Sequence, residues 1–168
     1  MVSENLVSAI IALGGNVGDV RATFGLAIID ICALAQARLA ARSSDYATPP
    51  WGEEAQPPFV NACIEIETAF APEALLAVLQ TVEQKFGRDR PKERRWGPRT
   101  LDLDLIAYDD LTLQTEALTL PHPRVLERAF VLVPLAEIAP GRKIGGRSVE
   151  AALADLSRAG IERLPALD

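Results

Sequence analysis

FVNACIEIETAFAPEALLAVLQTVEQKFG, residues 59–87, changes its hydrophobic period halfway along, and that change decides the fold. Over 59–68 the β-branched content reads as a strand, with positions 60, 62, 64 and 66 on one face. Pro72 suits the first turn of a helix, Leu75, Leu76, Leu79, Val82 and Phe86 line one side of it, and Gly87 ends it. Upstream, NLVSAIIAL (5–13) reads as a buried strand ended by GGNVGD, where Asp19 can cap a helix running from 20 to about 38. Leu26, Ile29, Leu34 and their neighbours supply that helix's apolar stripe. Residues 39–47 read as a further strand closed by TPPWG. Downstream, LDLDL (101–105) alternates as a strand does. The order is β-α-β-β-α-β: an α+β, ferredoxin-like core, an antiparallel sheet with two helices on one face. From residue 109 on, short strands, the turn LPHPRV and a helix around 148–158 complete one domain over 1–168.

With 49% hydrophobic residues the chain can bury a core without staples. Cys32 and Cys63 sit in apolar runs, the usage of reduced, buried thiols rather than of a disulfide scaffold. The N-terminus lacks a basic flank, and the stretch 22–41 is broken by Asp30, Gln36 and Arg38. Neither a signal peptide nor a membrane span is expected, and the cytoplasm is the expected compartment. Net charge is −6, yet KFGRDRPKERRWGPR (85–99) holds seven of the 17 basic residues and two acidic ones, a local +5. Positive charge packed into one segment of an acidic chain suits a compact polyanion such as a triphosphate better than a nucleic-acid backbone.

RWGPRTLDLDL (95–105) gives that segment a partner. Asp102 and Asp104 project from one face of the strand, roughly 7 Å apart, while Leu101, Leu103 and Leu105 project from the other. A bare D-x-D is most simply a wet strand face. Beside an arginine cluster it becomes a parts list for phosphoryl transfer: hard oxygen ligands for Mg²⁺ and guanidinium groups for phosphate. Gln80 and Glu83, three apart on the second helix, lie off the leucine stripe and face the same way, either solvated or bordering that site. His122, the single histidine, gains interest only from Arg124 and Arg128 nearby. GGNVGD is neither a P-loop nor a dinucleotide fingerprint and reads as a tight turn.

RWGPRTLDLDLI, ALGGNVGD, TPPWG with PPFVNACIEIET, and LPHPRVLERAFVLVPLAEIAP resemble, in order and over about residues 8–140, the successive blocks of the 6-hydroxymethyl-7,8-dihydropterin pyrophosphokinase family. The resemblance implies Mg²⁺-dependent transfer of the β,γ-pyrophosphoryl group of ATP to the hydroxymethyl group of the reduced pterin. AMP is released in this step of folate biosynthesis, and no covalent intermediate forms. It implies two Mg²⁺ ions on Asp102 and Asp104, and an ATP side lined by Gln80, Glu83, Arg88, Arg90, Arg99, Leu105, Thr119, His122 and Arg128. Arg88, Arg95, Trp96, Arg99 and His122 would serve catalysis, Arg95 and Trp96 from a loop that closes over the site. The pterin would stack between Phe59 and Phe130, with Asn61 on its edge and the stretch Thr48, Pro49 and Trp51 completing the pocket. Two flat aromatic faces and a carboxamide offering donor and acceptor suit such a heterocycle. The loop RPKERRW is one residue longer than the family's common spacing, leaving Lys92 and Arg94 without counterparts. Gly15 stands where serine is frequent, Phe59 where tyrosine is frequent, and Pro123 where another tyrosine can occur.

Two other readings share parts of this pattern. An RNA-recognition module uses the same strand order but expects aromatics on its central strands, where this acidic chain, with 5% aromatics, places aspartates. A kinase moving a single phosphoryl group is not separated from a pyrophosphokinase by spacing. The partners expected are ATP and the pterin, with no nucleic acid and no membrane. A monomer is expected, because the sequence shows no obvious exposed apolar stripe.

Overall fold

A computed structural model of the chain describes residues 5–49, 56–87 and 99–167. Its centre is a six-stranded sheet. Strand β1 (Val7–Gly15) pairs antiparallel with β4 (Phe59–Thr68) on one side and with β5 (Asp102–Tyr108) on the other. Beyond β4 lie β2 (Arg38–Arg42) and β3 (Tyr46–Thr48), and β10 (Glu162–Arg163) adds an edge to β3. This is the ferredoxin-like order that the alternating strand and helix periods predict. The strand expected over 39–47 is interrupted at Ser43–Asp45, where the Asp45 carboxylate takes Arg21 (2.9 Å) and Arg42 (3.0 Å).

Helices α1 (Val20–Leu34) and α2 (Pro72–Lys85) cover one face of the sheet. Asp19 caps α1 by accepting the Ala22 N–H, Pro72 stands at the first turn of α2, and Gly87 follows that helix with φ +91. Under α2, Leu75, Leu79 and Val82 meet Ile64, Ile66 and the leucines of β5. The stripe expected on α1 is corrected: Leu26, Ile29 and Leu34 are 57%, 66% and 48% exposed. Val20, Phe24, Ala27, Ile28 and Ile31 face the core instead. A helix that is apolar nearly all round gives the eye no unique face, and the sheet selects one. An exposed apolar stripe therefore does exist, on the outer side of α1.

The opposite face of the sheet is covered as well. α3 (Ala129–Ile138) and α4 (Val149–Ala154) pack on Ile10, Ala12, Cys63, Ile106 and Ala107. The second of these is shorter than the helix expected over 148–158. The first was not expected: AFVLVPLAEI carries β-branched residues and Pro134, and its uniform apolarity hides a helical period. Two small hairpins, β6 (Leu113–Gln114) with β7 (Thr119–Leu120) and β8 (Lys143–Ile144) with β9 (Arg147–Ser148), complete the fold. Among the described residues no helix is long and apolar enough to cross a membrane.

Candidate functional site

The alternation of β5 sends Leu101, Leu103 and Leu105 into the core with α1 and α2, and turns Asp102 and Asp104 to the α3 side. Register then decides their neighbours. Gly14 stands opposite Asn61 on β4 and opposite Asp102 on β5; one step along, Ala12 stands opposite Cys63 and Asp104. Residues opposite each other in a ladder share a face, so Gly14, with no side chain, and Ala12, with only a methyl, form a trough between β4 and the carboxylates. Phe59, two residues before Asn61, shares that face.

Over this trough opens a cleft lined by Ala12, Leu13, Gly14, Thr48, Phe59, Asn61, Arg99, Asp102, Asp104, Arg128, Phe130 and Val131. Asn61 donates from Nδ2 to Thr48 Oγ1 at 2.7 Å. A Cβ on Gly14 would lie 2.9 Å from Asn61 Oδ1, so glycine is required by close approach, not by a turn. Gly15 is more constrained still, since a Cβ there would meet the Thr100 carbonyl oxygen at 2.6 Å. GGNVGD is thus a turn only from Gly18, φ +77, while its first two glycines close the end of β1. Arg99 Nη1 lies 3.7 Å from Asp102 Oδ2, and the Arg128 guanidinium stands 5.6 Å from the centroid of the Phe130 ring.

His122 does not line the cleft but borders β5, donating its N–H to the Ile106 carbonyl at 2.8 Å. Its Nδ1 accepts the Arg124 N–H at 3.2 Å, which requires the neutral ring with the proton on Nε2. Partial burial, with Arg128 and Arg124 adding to it and Asp102 opposing, holds the imidazole pKa below its ordinary value.

Of the residues expected on sequence grounds, Thr48, Phe59, Asn61, Arg99, Asp102, Asp104, Arg128 and Phe130 meet at the cleft. Pro49 is exposed and packs near Gly160, Gln80 is exposed on α2, and Thr119 lies in β7. Glu83 does not share the exposure of Gln80, with which it was expected to face one way: it is 2% exposed and its Oε2 accepts the Leu103 N–H at 2.8 Å. The Leu105 side chain belongs to the core beneath the aspartates. Trp51, Arg88, Arg90, Arg95 and Trp96, with Lys92 and Arg94, lie outside the described residues. Pattern reading leaves out Gly14 and Asn16, whose significance comes from partners remote in sequence.

Two carboxylates facing an open cleft beside a guanidinium fit Mg²⁺, which takes one or two carboxylates and fills its shell with water and phosphate. No group of three or more metal-ligating side chains occurs among the described residues, so an all-protein metal cage is not what they form.

A ferredoxin-like core with two carboxylates, two arginines and two phenylalanines at one cleft is an arrangement that suits a phosphate-handling transferase. A family model, 7,8-dihydro-6-hydroxymethylpterin-pyrophosphokinase (HPPK), matches residues 10–140. The chain belongs to that family. It is 48% identical over 159 residues to the 2-amino-4-hydroxy-6-hydroxymethyldihydropteridine pyrophosphokinase of Methylorubrum extorquens, covering 95% of this chain and 99% of that one. The Bacillus subtilis protein of the same name is 45% identical over 130 residues, 77% of each chain. Among solved structures, one described as HPPK-DHPS in complex with substrates superposes with a TM-score of 0.74 at 13% identity, over 97% of this chain and 48% of that one. Plasmodium falciparum HPPK-DHPS with pteroate gives 0.71 at 12% identity, over 92% and 43%. The chain spans about half the length of these HPPK-DHPS chains, and the likeness carries the fold.

Proposed function

We propose that this cleft is where the chain performs its family's reaction, transfer of pyrophosphate from ATP to 6-hydroxymethyl-7,8-dihydropterin in folate biosynthesis. The pterin hydroxymethyl oxygen forms the new bond to the β-phosphorus, the α,β-bridge breaks, AMP leaves and the hydroxyl proton is released. The observation that carries the reading is the row Asn61–Gly14–Asp102, which sets a flat-ring recognition group and a carboxylate on either side of a side-chain-free floor.

On this reading the ring lies between Phe59 and Phe130 with Asn61 on its edge, its amide held by Thr48. Asp102 and Asp104 would hold two Mg²⁺ ions, which would supply charge neutralisation to the phosphates. Arg99 and Arg128 meet the phosphates from the protein side, and neutral His122 offers Nε2–H as a donor. Gln80, Glu83, Leu105 and Thr119 border the nucleotide side, with Leu105 limited to its backbone. Arg88, Arg90, Arg95 and Trp96 act from the basic segment, and Pro49 and Trp51 from the pterin side. The working unit of this reading is a monomer. Two free thiols, both raised in pKa by burial, suit the reducing cytoplasm.

Product analysis tests the reading. The protein is mixed with ATP, Mg²⁺ and the reduced pterin, and nucleotides are resolved by ion exchange. AMP formed in step with pterin diphosphate is expected; ADP would make this a single-phosphoryl kinase.

A further inference from the structure

Asn16 makes four hydrogen bonds from a site only 6% exposed, and they run to Arg99 on one wall of the cleft and to the segment leading to Phe59 on the other. Its backbone N–H donates to the Arg99 carbonyl at 2.9 Å, and its Oδ1 accepts the Arg99 N–H at 3.0 Å. Its Nδ2 donates to Gln56 Oε1 at 2.9 Å and to the Pro57 carbonyl at 3.0 Å. The β1–β5 ladder ends at Gly14 and Asp102, so the side chain acts as one further peptide group, carrying the pairing on to Arg99. The bare Gly15, where a Cβ would meet the Thr100 carbonyl oxygen at 2.6 Å, lets the two strands come close enough for this.

We propose that Asn16 is a positioning residue that sets Arg99 and the segment leading to Phe59 from a single carboxamide. The chemistry is specific. The acceptor must face a backbone N–H and the donors must face two oxygens, so the amide has one orientation and neither aspartate nor serine replaces it. Arg99 is thereby held with its guanidinium beside Asp102, and Gln56 and Pro57 are fixed two to three residues before the Phe59 ring. The roles of Arg99 and Phe59 in this inference rest on the function proposed above.

The test is steady-state kinetics on the full chain, each variant compared with wild type well below its own melting temperature. Asn16→Ala loses both walls and is expected to lower kcat and raise the pterin KM, each at least tenfold. Asn16→Asp keeps the acceptor for Arg99 but turns a carboxylate towards two oxygens. It is expected to raise the pterin KM at least tenfold with kcat within threefold. Gln56→Ala, which removes one of the same bonds from the far end, is expected to repeat that split and serves where an Asn16 variant does not fold. Constants within twofold of wild type for folded Asn16→Ala, or for Gln56→Ala when the Asn16 variants are unfolded, would overturn the proposal. A wild-type protein that makes no pterin diphosphate would instead overturn the function itself.

Discussion

Asn61 and Asp102 face one another across Gly14, each paired in register with it from opposite sides of β1. Two interstrand spacings separate them, about 10 Å. The floor between them is bare because the residue that pairs with both has no side chain. On the function proposed above, recognition of the flat ring and handling of phosphate stand on one row of one sheet, and ladder hydrogen bonds, not a loop, set their separation.

That row makes Gly14→Ala a sensitive test. The new methyl would sit 2.9 Å from Asn61 Oδ1, and Asn61 can move only by giving up its bond to Thr48. The expected result is a pterin KM raised at least ~10-fold, equivalent to about 1.4 kcal/mol of binding. Melting temperature should change by less than ~5 °C, since only one end of one strand is disturbed. An unchanged KM would show that the ring does not use this floor.

Asp102→Asn and Asp104→Asn keep size and hydrogen bonding while removing the charge that a hard cation needs. Each is expected to lower kcat by at least ~100-fold, the scale on which a single transition-state electrostatic partner acts. Far-UV circular dichroism should be unaltered, because both side chains leave the core to Leu101, Leu103 and Leu105. Near-wild-type rates in either variant would remove the metal from this site.

How much of this was legible in the sequence depends on how far apart the partners lie. The aspartate pair, the capping Asp19 and the opening Pro72 are local statements, and a single stretch of chain reveals them. The core face of β4 is legible for the same reason: Ala62, Ile64 and Ile66 alternate in one run. α3 escaped because nine of its ten residues are apolar, with only Glu137 to mark a period, and they enclose a proline. The buried face of α1 escaped because only the sheet beneath it distinguishes Ile28 from Ile29. Gly14, Gly15 and Asn16 read as a turn in isolation; their meaning is supplied by Asn61, Thr100 and Arg99, which register brings to them from 47, 85 and 83 positions away.

His122, the chain's single histidine, gives one imidazole signal to follow by NMR in protein prepared without a histidine tag. Its titration midpoint is expected below 6.5, because partial burial and then Arg128 disfavour the charged ring. The sign for stability follows. Above pH 6.5 both folded and unfolded rings are neutral, and the full stability is present. As pH falls through 6.5 the unfolded chain takes up the proton first, so stability declines until the folded ring also titrates. ATP bound near the ring should move the midpoint upward, since phosphate favours imidazolium. A midpoint above 6.5 in the free protein would contradict the neutral, Nδ1-accepting ring.

Glu83 carries the last prediction, because its carboxylate is 2% exposed and takes the N–H of Leu103, the residue between the two aspartates. Glu83→Ala would strand that N–H in the core and open space beside β5. The expected cost is at least about 1–3 kcal/mol, the scale for a buried donor left without a partner, read as a lower denaturant midpoint. Glu83→Gln retains a carbonyl oxygen at nearly the same place and should recover much of the loss. The same bond fixes the backbone from which Asp102 and Asp104 project. Catalysis in folded Glu83→Ala should therefore fall with its ATP and Mg²⁺ dependence altered, while pterin binding on the β4 side is spared. If stability falls but metal and nucleotide dependence stay as in wild type, Glu83 supports the core alone and the two aspartates do not depend on it.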